Sequence, residues 1–248
     1  MKKPLIKVHT PKVEHLKAGN SRRNFLKIGG LAMAGSSLLL YSCSDDDDMP
    51  MPPEPPTDVF DLGSGDLGIL NYAYALEQLE AAFYTEVKAG GYFSGASAEE
   101  KQVLEDIYEH EVIHREFFKA AISGVAPADK VLPELEFDFS TVDFSSRESV
   151  LETSILLEDT GCAAYNGAGS LLESKTYLLL AGKIVSVEAR HASAIRSIYL
   201  PGNKDFAGDD VVNESGLGLA SPPSEIITKV GSTGFVVTPF TANELPSM

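Results

Sequence analysis

Cysteine is nearly absent. Only Cys43 and Cys162 occur in 248 residues, which excludes a disulfide framework and any C-x-x-C electron-transfer pair. An apolar run, Ile28 to Ser42, spans 15 residues, short of the roughly 20 that a bilayer-spanning helix requires. Positive charge is scarce beyond the N-terminus. The first 42 residues hold eight of the 20 Lys and Arg and one of the 36 acids, so residues 43–248 carry 12 basic and 35 acidic side chains, a formal charge of about −23. That balance excludes a nucleic-acid partner, because such binding rests on neutralising phosphates. Histidine is rare too: beyond residue 42 only His110, His114 and His191 remain. Where so few exist, their placement is informative.

The N-terminal segment reads as an address. "SRRNFLK", residues 21–27, resembles the twin-arginine export signal at every position, with Arg22 and Arg23 as its pair. The apolar run that follows fits a signal-peptide core. It ends in "LYSC", which resembles a lipoprotein cleavage box with Cys43 as the lipidated residue. The alternative is a plain signal peptide in which Cys43 is incidental. "SDDDD", residues 44–48, is a solvated tether by composition; it also resembles the acidic tag that sends some Gram-negative lipoproteins to the outer face of the outer membrane. "MPMPPEPPTD" is a stiff, extended linker. The expected organisation is therefore a signal peptide over 1–42, a tether over 43–65, a helical domain over 66–202 and an irregular C-terminal extension over 203–248. The expected location is the cell envelope, with the membrane reached through lipid on Cys43 and with the twin-arginine translocase as a partner. If Cys43 carries lipid, Cys162 has no partner, and something other than a disulfide, such as a metal, must help hold the fold.

Helical periodicity dominates the middle of the chain. Four helices are expected, over 66–91, 97–124, 145–169 and 174–202. The second opens on a capping box, Ser97 with Glu100, and the third on another, Ser145 with Glu148. The connections between helices one and two and between three and four are short. The connection between two and three, "VAPADKVLPELEFDFSTVDF", is long for a compact domain. A crossover running the length of a bundle accounts for it. The predicted fold is all-α: two antiparallel hairpins joined by one long crossover, the ferritin-like four-helix arrangement, followed by a tail packed on the bundle as irregular or short β structure.

The chemistry-bearing residues repeat. Helix two carries Glu111 and His114, and helix four carries Glu188 and His191, each pair at i, i+3 and so on one helical face. Helix one offers Glu77 with Tyr84 seven places on; helix three offers Glu158 with Tyr165 seven places on. Both Glu residues stand in apolar stretches, "YALEQLEAAF" and "ILLEDTGCAAY". A carboxylate facing a core must be paired, protonated or bound to a metal. Glu80 competes with Glu77 for that position, and Glu77 is preferred because it alone gives the matching E-x6-Y. His110 lies about 100° around the helix from Glu111 and reads as outward-facing or capping a contact. Cys162 reads as a buried structural thiol, and Phe117 and Phe118 as core.

The order E-x6-Y, E-x-x-H, E-x6-Y, E-x-x-H resembles the ferritin-like di-iron carboxylate superfamily with a rubrerythrin-type ligand order. "LEDTGCAAY" and "VEARHA" resemble the bacterial ferritin-like domain group that is also similar to plant desiccation-related proteins. The resemblance covers roughly residues 66–200. It implies that Glu77, Glu111, His114, Glu158, Glu188 and His191 bind two iron or manganese ions, with Glu111 and Glu188 bridging and Glu77 and Glu158 terminal. It implies further that Tyr84 and Tyr165 support the terminal carboxylates. Redox chemistry on peroxide or oxygen, in stress protection, is the function so implied. A reductive peroxidase without a C-x-x-C centre would need an outside electron donor, whereas peroxide disproportionation needs none. The alternatives are a non-catalytic stress or structural module and a surface-binding lipoprotein.

Overall fold

A computed structural model describes residues 59–200 and 205–246. The export signal, Cys43 and residues 44–58 of the tether fall outside the described residues. The elements in chain order are β1 (Phe60–Asp61), α1 (Gly65–Ala89), α2 (Gly91–Gly95), α3 (Ala98–Ser123), α4 (Arg147–Gly169), α5 (Lys175–Tyr199), α6 (Pro223–Thr233) and β2 (Phe240–Thr241), with 3-10 turns at Ala128–Lys130 and Asp205–Ala207. The four long helices are those expected and the chain is all-α. α1 packs mainly on α3, and α4 mainly on α5. No described helix is long and apolar enough to cross a membrane.

Local chemistry sets the helix ends. Ser97 and Glu100 form the expected capping box of α3, each side chain accepting from the other residue's backbone N–H. The expected start of α4 is corrected by one residue: Ser146 is the N-cap and its hydroxyl accepts from Ser149 N, while Ser145 N donates to Asp143 Oδ1. The connection after α1 is itself the short helix α2. Arg147, at the start of α4, donates to Glu100 Oε1 at 2.7 Å and to the carbonyls of Ile198 and Tyr199 at the end of α5. One guanidinium thus ties both hairpins together and satisfies carbonyls that the helix leaves unpaired.

α1 is the central helix. From Gly68 to Tyr84 nearly every residue is buried, because its sequence is apolar on all sides and such a helix must be covered all round. The crossover covers one side. Two buried amides hold it there: Asn71 Nδ2 donates to Lys130 O and Asn71 Oδ1 accepts from Leu132 N, each at 3.0 Å. Gln78 donates to Pro133 O and accepts from Leu135 N at 3.2 and 2.9 Å. Each amide serves the crossover as a neighbouring strand would, so a long loop stays ordered and lays Leu132 and Leu135 onto the core.

The tail covers another side, and there the sequence expectation is corrected. It contains an 11-residue helix, α6, which starts at Pro222-Pro223 and stops at Gly234 in the left-handed conformation, φ 73°. β2 pairs in parallel with β1, bringing residues 60–61 and 240–241 side by side. α6 packs on α4. Between α1 and the tail lies a cavity of about 180 Å³, lined by Tyr72, Leu76, Ile227, Val230 and Phe240 among others.

The segment before α6 docks very tightly. Ser221 N donates to Ala163 O at 3.0 Å, and a Cβ placed on Gly167 would stand 1.9 Å from Ser221 O. Backbone cannot yield to that overlap locally. Gly167→Ala is therefore expected to displace the 218–222 segment and destabilise the chain by about 1–3 kcal/mol. Limited proteolysis checks this, with cleavage in the tail preceding cleavage in the bundle.

Candidate metal centre

All six expected residues converge inside the bundle. α1 supplies Glu77, α3 supplies Glu111 and His114, α4 supplies Glu158, and α5 supplies Glu188 and His191. The four carboxylates are fully buried. The imidazoles are nearly so, with side chains 11% exposed at His114 and 4% at His191, so what access there is lies at His114. The residues form two groups whose donor atoms lie within 4.8 Å of one another: Glu77, Glu111, His114 and Glu188, and Glu111, Glu158, Glu188 and His191. Glu111 and Glu188 belong to both.

The distances describe convergence rather than pairing. His114 Nδ1 lies 3.0 Å from Glu188 Oε1, 3.4 Å from Glu77 Oε2 and 3.7 Å from Glu111 Oε2. His191 Nδ1 lies 2.7 Å from Glu111 Oε1 and 3.3 Å from Glu158 Oε2. None of these approaches has hydrogen-bonding geometry. Both oxygens of Glu111 and of Glu188, one each of Glu77 and Glu158, and both Nδ1 atoms have no hydrogen-bond partner. Buried polar atoms left unpaired are costly. So many of them facing one another fit a cation, and mixed carboxylate and imidazole donors suit iron or manganese rather than thiol-seeking metals.

Without a cation, the protons redistribute. Burial raises the carboxyl of Glu77 to about 8 against the opposing pull of His114. Burial and the charge of Glu111 hold Glu188 well above the carboxylate range, and burial does the same at Glu158 to a lesser extent. Glu111 behaves oppositely: burial would raise it, but His114 and His191 outweigh burial and hold it down at about 2. Burial would lower both imidazoles, yet the facing carboxylates overcome it, taking His114 up to about 12 and His191 to about 11. Glu111 is thus the fixed charge, clasped by two imidazoliums.

The two tyrosines are exchanged between helices. Tyr84 of α1 donates to Glu158 Oε1 of α4 at 2.6 Å, and Tyr165 of α4 donates to Glu77 Oε1 of α1. Each E-x6-Y therefore serves the other helix's carboxylate, a crossed pattern that antiparallel neighbours allow. Burial and the neighbouring carboxylates hold both phenols well above their ordinary value, so they stay donors. Replacing either with Phe removes the hydrogen bond that aims a carboxylate. Tyr84→Phe and Tyr165→Phe should each weaken metal binding about 10- to 100-fold with little change in helix content, as read by metal titration beside circular dichroism.

Three further residues bear on the cluster. Glu77 belongs to a donor group, and Glu80, one turn on, is buried beside it. Burial and the charge of Glu188 raise Glu80 well above the carboxylate range. A Cβ on Gly161 would stand 3.0 Å from Glu80 Oε1 and 3.4 Å from Glu188 Oε2, so Gly161 leaves room for a fifth carboxylate beside the other four. Being three residues apart, Glu77 and Glu80 share a helical face, and that spacing was the available signal. His110 is exposed, as expected, but its Nδ1 also lies 2.9 Å from His191 Nε2, with the rings stacked at 5.1 Å. A ring hydrogen-bonded on Nε2 presents Nδ1 to the cluster in a fixed orientation. Cys162 is half-buried. Burial and the charges of Glu188 and Glu158 push its thiol up, which leaves it protonated and unreactive. Phe118 is core, and Phe117 is half-buried against it.

A family model of the ferritin-like domain matches residues 65–200. That span runs from the first residue of α1 to just past the end of α5, and it includes all six cluster residues. No curated protein matches the chain.

Proposed function

We propose, from the premise that this chain belongs to the ferritin-like domain family, that it binds two iron or manganese ions and reacts with peroxide or oxygen in the cell envelope. The observation that carries this reading is the pair of buried donor groups sharing Glu111 and Glu188. Two ions so placed supply redox chemistry on O–O bonds when bound. The protein's own part is to prepare the site. Tyr84 and Tyr165 aim Glu158 and Glu77, and His110 orients His191. Burial excludes bulk water. Glu80 stands buried beside the centre, where burial and the charge of Glu188 raise its carboxyl above the ordinary range. The donors must shed protons to bind a cation, so binding is coupled to proton release.

"SRRNFLK", "LYSC" and "SDDDD" support export through the twin-arginine route and a lipid anchor on Cys43, at the outer membrane and facing outward. Twin-arginine export carries folded proteins, so a metal can be loaded before export. Palmitate labelling of cells should mark the chain and fail to mark Cys43→Ser.

The deciding experiment is the metal content of the purified chain from iron- and manganese-supplied cells, followed by peroxide turnover. About two ions per chain with turnover supports the reading. Ions without turnover on peroxide or oxygen leave a non-catalytic module stabilised by metal. A folded chain with neither metal overturns the redox reading and leaves a structural module that keeps the ligand pattern without the chemistry.

A further inference from the structure

Where α1 and α5 begin and α3 and α4 end, the bundle holds an apolar cavity of about 30 Å³ that is partly open at its rim. Leu76, Phe118, Ala164 and Tyr165 form its buried inner wall, and Leu180 and Ala181 its half-buried rim. The rings of Phe118 and Tyr165 lie 6.3 Å apart across that wall. The walls are almost wholly apolar. The Tyr165 hydroxyl is committed to Glu77, and beyond it the lining offers only the phenols of Tyr72, buried, and Tyr177, at the half-buried rim, so little on the walls could hold a water in place. Apolar cavities of this kind stay dry and accept apolar guests.

Size and position select the guest. A space of about 30 Å³ admits a molecule of a few atoms and no acyl chain or ring. One side chain, Tyr165, separates it from Glu77 of the metal cluster. Hydrogen peroxide would have to give up its hydrogen bonds with water to enter, whereas dioxygen has none to give up. We infer that this cavity is a binding site for dioxygen, holding it one side chain away from the metal cluster. The binding site stands on the cavity alone. That dioxygen rather than peroxide is the centre's oxidant rests on the proposed function.

Two probes test it on the full chain. Crystals pressurised with xenon should show an atom in this cavity. In solution, dissolved dioxygen should relax the Ala164 methyl several-fold more than those of Leu151, which is buried at the far end of α4. Ala168→Val and Ala73→Val narrow the space without touching the cluster, and each should abolish both signals. An empty cavity under xenon, or methyl relaxation equal to that of Leu151, overturns the inference. Relaxation that persists in both folded variants overturns it as well. Metal content, measured separately, keeps the two ideas apart. A metal-loaded chain with an empty cavity refutes this site alone, and a xenon-binding chain without metal refutes the redox reading alone.

Discussion

Glu188→Gln should raise the thermal midpoint of the metal-free chain and Glu111→Gln should lower it, while both abolish metal binding. The two carboxylates are alike in residue type, helix position and complete burial, and each belongs to both donor groups. Their environments differ in sign. Glu188 is held well above its ordinary range by burial and by the charge of Glu111, so its ionised form is disfavoured in the metal-free fold. A neutral amide of the same shape relieves that cost. Glu111 is held down at about 2 by His114 and His191. Removing its charge leaves two buried imidazoliums without their counter-ion, and breaking a buried pair by deleting one partner costs about 3–5 kcal/mol. For the metal the two substitutions are equivalent, since each deletes a donor common to both groups. Thermal denaturation of the metal-free variants, with metal analysis of the loaded ones, reads all four outcomes. Equal shifts in midpoint would mean that the clasp around Glu111 does not exist.

What could be read from the residues beforehand follows from what helical periodicity encodes. Spacing along one helix fixes which side chains share a face. That is why Glu111 with His114, and Glu188 with His191, could be placed from three histidines and a few carboxylates. Spacing says nothing about which helix lies opposite. The crossing of Tyr84 to Glu158 and Tyr165 to Glu77 was therefore invisible, although both E-x6-Y patterns were plain. The meeting of His110 with His191 was hidden for the same reason: the outward angle of His110 is correct, and α5 comes to meet it. Glu77 and Glu80 share one face; Glu77 belongs to a donor group, and the gap at Gly161 leaves room for Glu80 next to Glu188, which spacing along α1 does not encode. The tail shows a signal overlooked. A helix apolar on every side, as α1 is, demands cover from outside the four-helix set, and the crossover and α6 provide it. The helix in the tail is 11 residues long and opens on two prolines, too short for periodicity to declare it.

The metal-free chain should become steadily less stable from about pH 5 to pH 9, and metal should rescue it most at the alkaline end. Four shifts set the sign. Glu77 is raised to about 8, so its folded form favours the proton and its stabilisation is lost as pH rises from its ordinary 4.5 through 8. His114 and His191 are raised to about 12 and 11. Their contribution is complete below 6.5, where the unfolded imidazoles are also protonated, and is lost across the interval above it. Glu111, lowered to about 2, acts on the other flank, contributing above 4.5 and losing its contribution toward pH 2. Above pH 6.5 the folded state therefore binds at least two protons that the unfolded state lacks. Linkage makes the loss over each pH unit a sizeable fraction of a typical domain stability of about 5–15 kcal/mol. A cation bound by the same atoms replaces those protons, so it removes the alkaline decline, and its affinity rises as pH rises. The gap between the midpoints of loaded and metal-free chain should widen from pH 6 to pH 9, and calorimetry in buffers of different ionisation enthalpy should count the protons released. A metal-free midpoint that stays level across that range would mean that the imidazoles are neutral in the empty cluster. The carboxylates would then hold its protons, and the assignment of Glu111 as the fixed charge would fall with it.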